Sequence, residues 1–464
     1  PELIGHHLEH AGEVLGAVEQ YVAAARSARR SAALEEAAGR YRHSITLIHT
    51  LPAGAERDGH EIALQLELAA VMGLMHAFSA PAVGEVYMRT VALCEQSGEK
   101  GDPYAEALHG LAQHHLSAAR FDDAARVATV LLDHAREAGQ PHPEVLAHRA
   151  LSQVRFWTGR YTELWEHSAR AMELYDPEAP VEQRFAMGIE SGVIAMTYGA
   201  VGLWALGRPH EAAAMADRCV EHAKRQPDVY QQAYAQAYLS MLGIMLIDPE
   251  RVERWALAAK SIAERHGFAP LEGLSRYTLA WAMAERGHPE SFDMVVSGIG
   301  ILAALGTGIG APGCMAVVAE MYAKDGQFGE AAGYVAFGEA MADGTGQHFY
   351  TVELHRSAAL AHLGLADAAD DDEVRATELH AAEQRASAAI DLARAQSAAS
   401  LELRAIQPMI ELLCRRGDTE AARSLLADAV AKFPAESSGT ELDRARAALR
   451  GAAELRPRLR FHEV

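Results

Sequence analysis

Three groups of side chains in this sequence have types and spacings that could do chemistry, and each stops short of a complete site. His6, His7 and His10 stand in the run His-His-Leu-Glu-His. His6 and His10, four residues apart, share one helix face, which is the geometry a zinc site uses. Two imidazoles do not complete a tetrahedral shell, so packing or capping is the expected role. His109, His114 and His115 follow at spacings that do not align them on one face. Gly306-Thr307-Gly308-Ile309-Gly310-Ala311-Pro312-Gly313 has the glycines of a phosphate-cradling loop, but the lysine a Walker loop requires does not follow. The stretch from Val295 to Leu305 before it reads as helix, where a dinucleotide loop needs a strand, so an inter-repeat turn is expected. Cys94, Cys219, Cys314 and Cys414 are dispersed, and no Gly-x-Ser-x-Gly occurs. A cysteine nucleophile needs a paired base, which sequence alone does not supply. No catalytic residue, metal ligand or cofactor is assigned.

The charge balance narrows the partners. The 464 residues carry a formal charge of −21, which phosphate backbones repel. No direct nucleic-acid partner is therefore expected. Arg26/Arg29/Arg30 and Arg456/Arg458/Arg460 read as solvated faces. No uncharged apolar run reaches the about 18 residues of a membrane span. No signal peptide is evident, and the dispersed cysteines suit a reducing compartment, so a cytoplasmic location is expected. The chain opens mid-pattern at Pro1-Glu2-Leu3-Ile4 and reads as a piece of a longer polypeptide.

The elements that must position any site come from a repeat. A small residue in a tight turn is followed five residues on by a small or apolar one, as in Gly159 to Leu164, Gly207 to Ala212, Gly326 to Ala331 and Gly417 to Ala422. Turn residues fall at 119, 159, 207, 247, 287, 326 and 364, a period of about 40. Helix-forming residues dominate between them, and β-branched alternation is almost absent. The expected fold is all-α: a right-handed superhelical solenoid of about ten antiparallel helix pairs, tetratricopeptide-like, without sheet. Residues 1–464 form one array, with a loose subdivision near 366–376.

A longer resemblance rests on stretches spread along the chain. They include Pro1-Glu2-Leu3-Ile4-Gly5-His6-His7, Ser31-Ala32, Leu51-Pro52, Leu174-Tyr175-Asp176-Pro177, Leu203-Trp204-Ala205-Leu206-Gly207, Glu353-Leu354-His355-Arg356 and Ser400-Leu401-Glu402-Leu403-Arg404-Ala405. In these the chain resembles the tetratricopeptide-repeat C-terminal region of bacterial signal-transducing ATPases, many of which also carry a class III adenylate/guanylate cyclase domain. The resemblance implies a regulatory region controlling an ATPase or cyclase domain of the same polypeptide. Two departures stand out. Gly188-Ile189-Glu190-Ser191-Gly192-Val193 replaces the family's Gly-x-Asp-Pro-Gly-Val, and Phe349-Tyr350 replaces a tryptophan pair.

In such a superhelix the first helix of each pair lines the concave face. Inward positions lie about 13, 10, 6 and 2 or 3 residues before each turn. The count gives Glu106, His109, Gln113 and Ser117, then Leu146, Arg149, Gln153 and Trp157, and beyond them Trp204, Tyr234, Tyr277 and Trp281. The candidate groove residues are Gln113, Arg149, Gln153, Trp157, Trp204, Tyr234, Tyr277 and Trp281, a blend of apolar lining and sparse polar groups typical of ligand sites. The expected function is a non-catalytic sensor or scaffold that binds a protein, peptide or small ligand there. The alternative is a metal- or nucleotide-dependent enzyme with its site inside the superhelix.

Overall fold

The computed structural model describes residues 1–464 apart from 32, 77, 187, 306–308, 452–454 and 456–464, and apart from the side chains of 74 and 182. Ala32, the first three residues of the glycine-rich loop and the Arg456/Arg458/Arg460 cluster therefore lie outside the described residues. The chain is an all-α solenoid of stacked helix pairs. Its contacts divide it into two compact units, residues 1–154 with 173–188, and residues 155–172 with 189–464.

The first unit holds α1 (Glu2–His10), α2 (Val14–Arg30), α3 (Leu34–Ile48), α4 (Ala55–Met75), α5 (Pro81–Ser97), α6 (Asp102–Ser117), α7 (Phe121–Ala138), most of α8 (Pro141–Trp157), the end of α9 (Tyr161–Leu174) and the short α10 (Val181–Arg184). Each of α1 to α6 packs on the next. In α7 the residues Phe121, Ala124, Val127, Ala128, Leu131, Leu132 and Ala135 are buried. Their spacing traces one helical stripe, and Asp122, Arg126 and Arg136 lie off it.

The second unit continues with α11 (Ser191–Ala205), α12 (Pro209–Lys224), α13 (Val229–Met245), α14 (Pro249–His266), α15 (Ala269–Ala284), α16 (Ser291–Ala304), α17 (Ala311–Lys324), α18 (Phe328–Thr345), α19 (Thr351–Ala368), α20 (Asp372–Ala395), α21 (Ala399–Arg415), α22 (Thr419–Val430) and α23 (Thr440–Leu449). The first helices of successive pairs also touch one another, α11 with α13, α13 with α15, α17 with α19 and α19 with α21. They form an inner layer covered by the second helices. Their composition follows: every residue of α11 is buried and none is charged, as a helix enclosed on all sides requires.

The turn inside each pair is tight and left-handed. Ala119, Gly159, Gly207, Ile247, Gly287, Gly326 and Gly417 all have φ between 51° and 83°. At Gly207 the next amide, Arg208 N–H, returns to the Leu203 carbonyl over 2.9 Å, which satisfies an orphan carbonyl at the helix end.

Two expectations need correction. Gly364 is not a turn residue, because α19 runs on to Ala368. Its missing Cβ instead makes room for the Phe328 ring, which a Cβ would meet at 2.1 Å. The chain is also not wholly without strand: β1 (Phe185–Ala186) and β2 (Ile189–Glu190) are two residues each. Residues 366–376 lie inside the second unit, at the turn from α19 to α20.

Candidate functional site

Of the eight residues that counting places inward, Gln113, Arg149 and Gln153 belong to the first unit, and all three are buried. Gln113 Nε2 donates to Gln153 Oε1 over 2.9 Å, joining α6 to α8. The other five, Trp157, Trp204, Tyr234, Tyr277 and Trp281, lie in the second unit and are buried there, none more than 7% exposed.

The second unit's interior is filled by its own chain. The Trp157 carbonyl accepts the His348 and Phe349 amides over 2.8 and 3.0 Å, and the Phe349 ring stacks on Phe156 at 4.0 Å. The Phe349-Tyr350 departure therefore sits where the chain folds back on itself. Ser400 donates to the Trp204 carbonyl over 2.5 Å. Tyr234 stacks on Tyr238 at 4.3 Å. A ligand meets these aromatics only after the stack opens. The Gly188–Val193 departure has a local explanation too: Glu190 caps α11, its carboxylate accepting the Val193 amide over 2.7 Å and facing His222 at 3.0 Å.

Below the fold-back contacts runs a buried ionic network. Arg356 bridges Glu320 and Glu353 at 2.5 and 2.7 Å, and Arg404 approaches the same two carboxylates at 3.3 Å each. Lys324 joins Glu320 to Glu285 at 3.1 and 2.6 Å. Burial pushes the Glu320 carboxyl up, but Arg356, Lys324 and Arg404 outweigh it and hold it far below the ordinary range. Every ion in this network has an opposite partner, so it is a structural core rather than a set of poised acids and bases.

The first unit offers the accessible site. Asp102, Glu106, His109 and Gln113 recur along one face of α6, and His142, Arg149 and Gln153 along one face of α8. The two stripes meet at the Gln113–Gln153 hydrogen bond and end at a cleft of about 380 Å³, within the range of ligand sites. Asp102, Gln140, His142, Tyr175, Asp176, Gln183 and Arg184 supply its polar lining. Glu106 keeps solvent exposure while protein crowds around it, as on a concave surface. That crowding, with the Glu67 and Asp102 charges, raises its pKa.

Deeper in, His109 is 3% exposed and its Nε2 has no hydrogen-bond partner among the described residues. Burial, then Arg149 and His142, hold its pKa well below the ordinary value. Burial likewise depresses His142, against Asp102. Both imidazoles are neutral at neutral pH. The face is thus acidic at its mouth, neutral along the imidazoles and cationic at Arg149.

The expected inward positions cover the deep end of these stripes and not the cleft. The signal is present: one more turn of the same period leads from Glu106 to Asp102, and two turns lead from Arg149 to His142. What it could not supply was the wall contributed by residues 174–184.

Among the described residues no group of three or more His, Cys, Asp or Glu could hold a metal ion, and no helix is long and apolar enough to cross a membrane. His10 Nδ1 lies 2.9 Å from the His6 carbonyl oxygen. Burial pushes the Cys94 thiol up to about 11 and the Cys219 and Cys314 thiols to about 12, away from thiolate chemistry.

No known family's sequence profile matches the chain. An uncharacterized protein of Rhizobium meliloti (strain 1021) is 24% identical over 422 residues, which cover 88% of this chain and 39% of that protein. The chain thus spans well under half the length of that relative. Among solved structures, the apo form of RapI matches with a TM-score of 0.49 at 12% identity, covering 62% of this chain and 99% of that one. A Rap protein complexed with competence and sporulation factor matches at 0.40 and 12%, covering 94% and 99%. Aspartyl phosphate phosphatase F of Bacillus subtilis matches at 0.45 and 11%, covering 84% and 97%.

Proposed function

We propose that this chain is a non-catalytic regulatory module that binds a peptide, a partner segment or a small polar ligand. The observation that carries this is the pair of polar stripes on α6 and α8 running from the Asp102–His142 cleft to the Gln113–Gln153 contact. A buried polar atom such as His109 Nε2, without a partner among the described residues, costs free energy unless something satisfies it, and the polar lining of the cleft gains selectivity for a ligand that pairs with it. Asp102 and Asp176 in the cleft favour an amine or guanidinium, the charge a peptide-like ligand supplies at its amino end or on a basic side chain.

The output rests on the resemblance, which implies that binding here controls an ATPase or cyclase domain in the same polypeptide, in the cytoplasm. The test uses that full-length polypeptide. Glu106→Gln with His142→Ala should shift its ATP hydrolysis or cyclisation rate while leaving helicity unchanged. Turnover indifferent both to those substitutions and to deletion of the whole helical region would overturn the regulatory role. Turnover by this chain alone, lost on mutating one of its residues, would instead establish an enzyme.

A further inference from the structure

Most outer helices of the second unit carry basic side chains: Arg218 and Lys224 on α12, Arg251, Arg254, Lys260 and Arg265 on α14, Arg375, Arg385 and Arg394 on α20, and Arg423 on α22. Neither α16 nor α18 has a single lysine or arginine. They instead expose large apolar side chains, Val296 at 53% and Phe337 at 56%.

Between the two helices lies Tyr322 of α17. Its ring is 4.8 Å from Phe292 of α16 and stacks at 5.2 Å on Tyr334 of α18. Phe292 and Val296 are one turn apart on α16, as are Tyr334 and Phe337 on α18. The half-buried rings therefore form an aromatic floor, with the exposed Val296 and Phe337 as its crests. Carboxylates rim it. Asp293 and Glu330 are exposed and form no ion pair among the described residues, whereas Glu339 on α18 is already engaged by Arg385. Asp293 and Glu330 reach Tyr322 electrostatically, adding to burial and Tyr334 in raising its hydroxyl pKa.

We propose that the α16–α18 face docks an amphipathic helix of a partner protein, its aliphatic stripe on Val296, Tyr322 and Phe337 and its flanking lysines or arginines on Asp293 and Glu330. Helix-in-groove recognition needs an apolar seam of this kind. The unpaired carboxylates select the sign of the partner, and a chain of net charge −21 repels an acidic one. A second copy of this chain would set the same carboxylates against each other.

The probe is a fluorescent model helix with leucines at i, i+3, i+4 and i+7 flanked by lysines, titrated against the full chain at about 0.15 M salt. A second probe has glutamates in place of the lysines. The lysine helix should bind, and Phe337→Ala, or Asp293→Asn with Glu330→Gln, should weaken it on the order of tenfold. Asp122→Asn with Glu137→Gln, exposed in the first unit and matched in charge, should leave binding unchanged. All these positions are exposed, and circular dichroism checks that each variant is folded. No binding, equal loss from both charge pairs, or equally tight binding of the glutamate helix would overturn the proposal. So would self-association that Phe337→Ala abolishes, because a second copy would then be the occupant.

Discussion

The Ser437 hydroxyl donates to the Gly207 carbonyl over 2.8 Å, across 230 residues of sequence. The turn that ends α11 is thereby both a left-handed corner and a seat for the C-terminal segment. A Cβ on Gly207, at φ +80°, would meet the Ala399 Cβ at 3.1 Å and Phe433 Cδ1 at 3.2 Å.

Gly207→Val should therefore lose stability twice, by about 1–2 kcal/mol for a side chain in the left-handed region and by about 1–3 kcal/mol for overpacking. Gly417→Val isolates the first contribution, since Gly417 has the same φ and nothing within 4 Å of its Cβ position. Urea denaturation of both variants measures the difference. Equal losses would show that Ala399 and Phe433 yield to the added side chain without cost.

Ala119 holds φ 55° at a turn where its counterparts are mostly glycine. Ala119→Gly should raise the urea midpoint, because relief of about 1–2 kcal/mol of left-handed strain exceeds the roughly 0.5–1 kcal/mol of added chain entropy. A lowered midpoint would mean that Ala119 gains more from its packing than it loses in strain.

The repeat was legible because its signals are local. Glycine at the corner and a small residue five positions later recur wherever two helices must turn and touch, so Gly159, Gly207, Gly287, Gly326 and Gly417 all fall where expected. Gly364 misled because a glycine that admits a neighbouring ring looks, in sequence, like a glycine that turns the chain. The site was legible only by half. Helical period puts Gln113, Arg149 and Gln153 on inner faces, but whether an inner face is open depends on what lies across from it. In the second unit that is chain nearly 200 residues away, as where Ser400 reaches the Trp204 carbonyl. No periodicity reports such a distance.

The ionic network makes a sharp contrast with surface pairs. Arg404→Met would leave Glu320 and Glu353, both buried, short of a cation, and should cost about 3–5 kcal/mol. Arg416→Met breaks an exposed pair with Glu383 and should cost no more than about 1 kcal/mol. Denaturant titration of the two variants decides it. Similar small losses would show that Arg356 and Lys324 alone satisfy the buried carboxylates.

Acid sensitivity should come first from the histidines of the first unit. Burial is the leading cause that depresses His109, His114, His115 and His142 below the ordinary value of 6.5. Their contribution has a definite sign. Above about pH 6.5 these groups are neutral in both folded and unfolded chains and contribute no pH dependence. Below it the unfolded chain takes up protons that the folded chain refuses, so stability falls as pH drops. The Glu320 carboxylate, held low by its three cations, begins to lose its stabilisation only as pH falls below 4.5, whereas Glu106 and Glu441, raised by burial, take up protons first in the folded chain and oppose the four histidines in part. Melting temperature should thus decline between pH 7.5 and 5.5. His109→Gln, which removes the deepest of the four imidazoles from the titration, should flatten that decline even if it lowers the melting temperature at pH 7.5. A melting temperature that holds or rises on acidification, or a His109→Gln slope identical to that of the parent, would show that water or a counter-charge already stabilises the protonated ring inside the α6–α8 face.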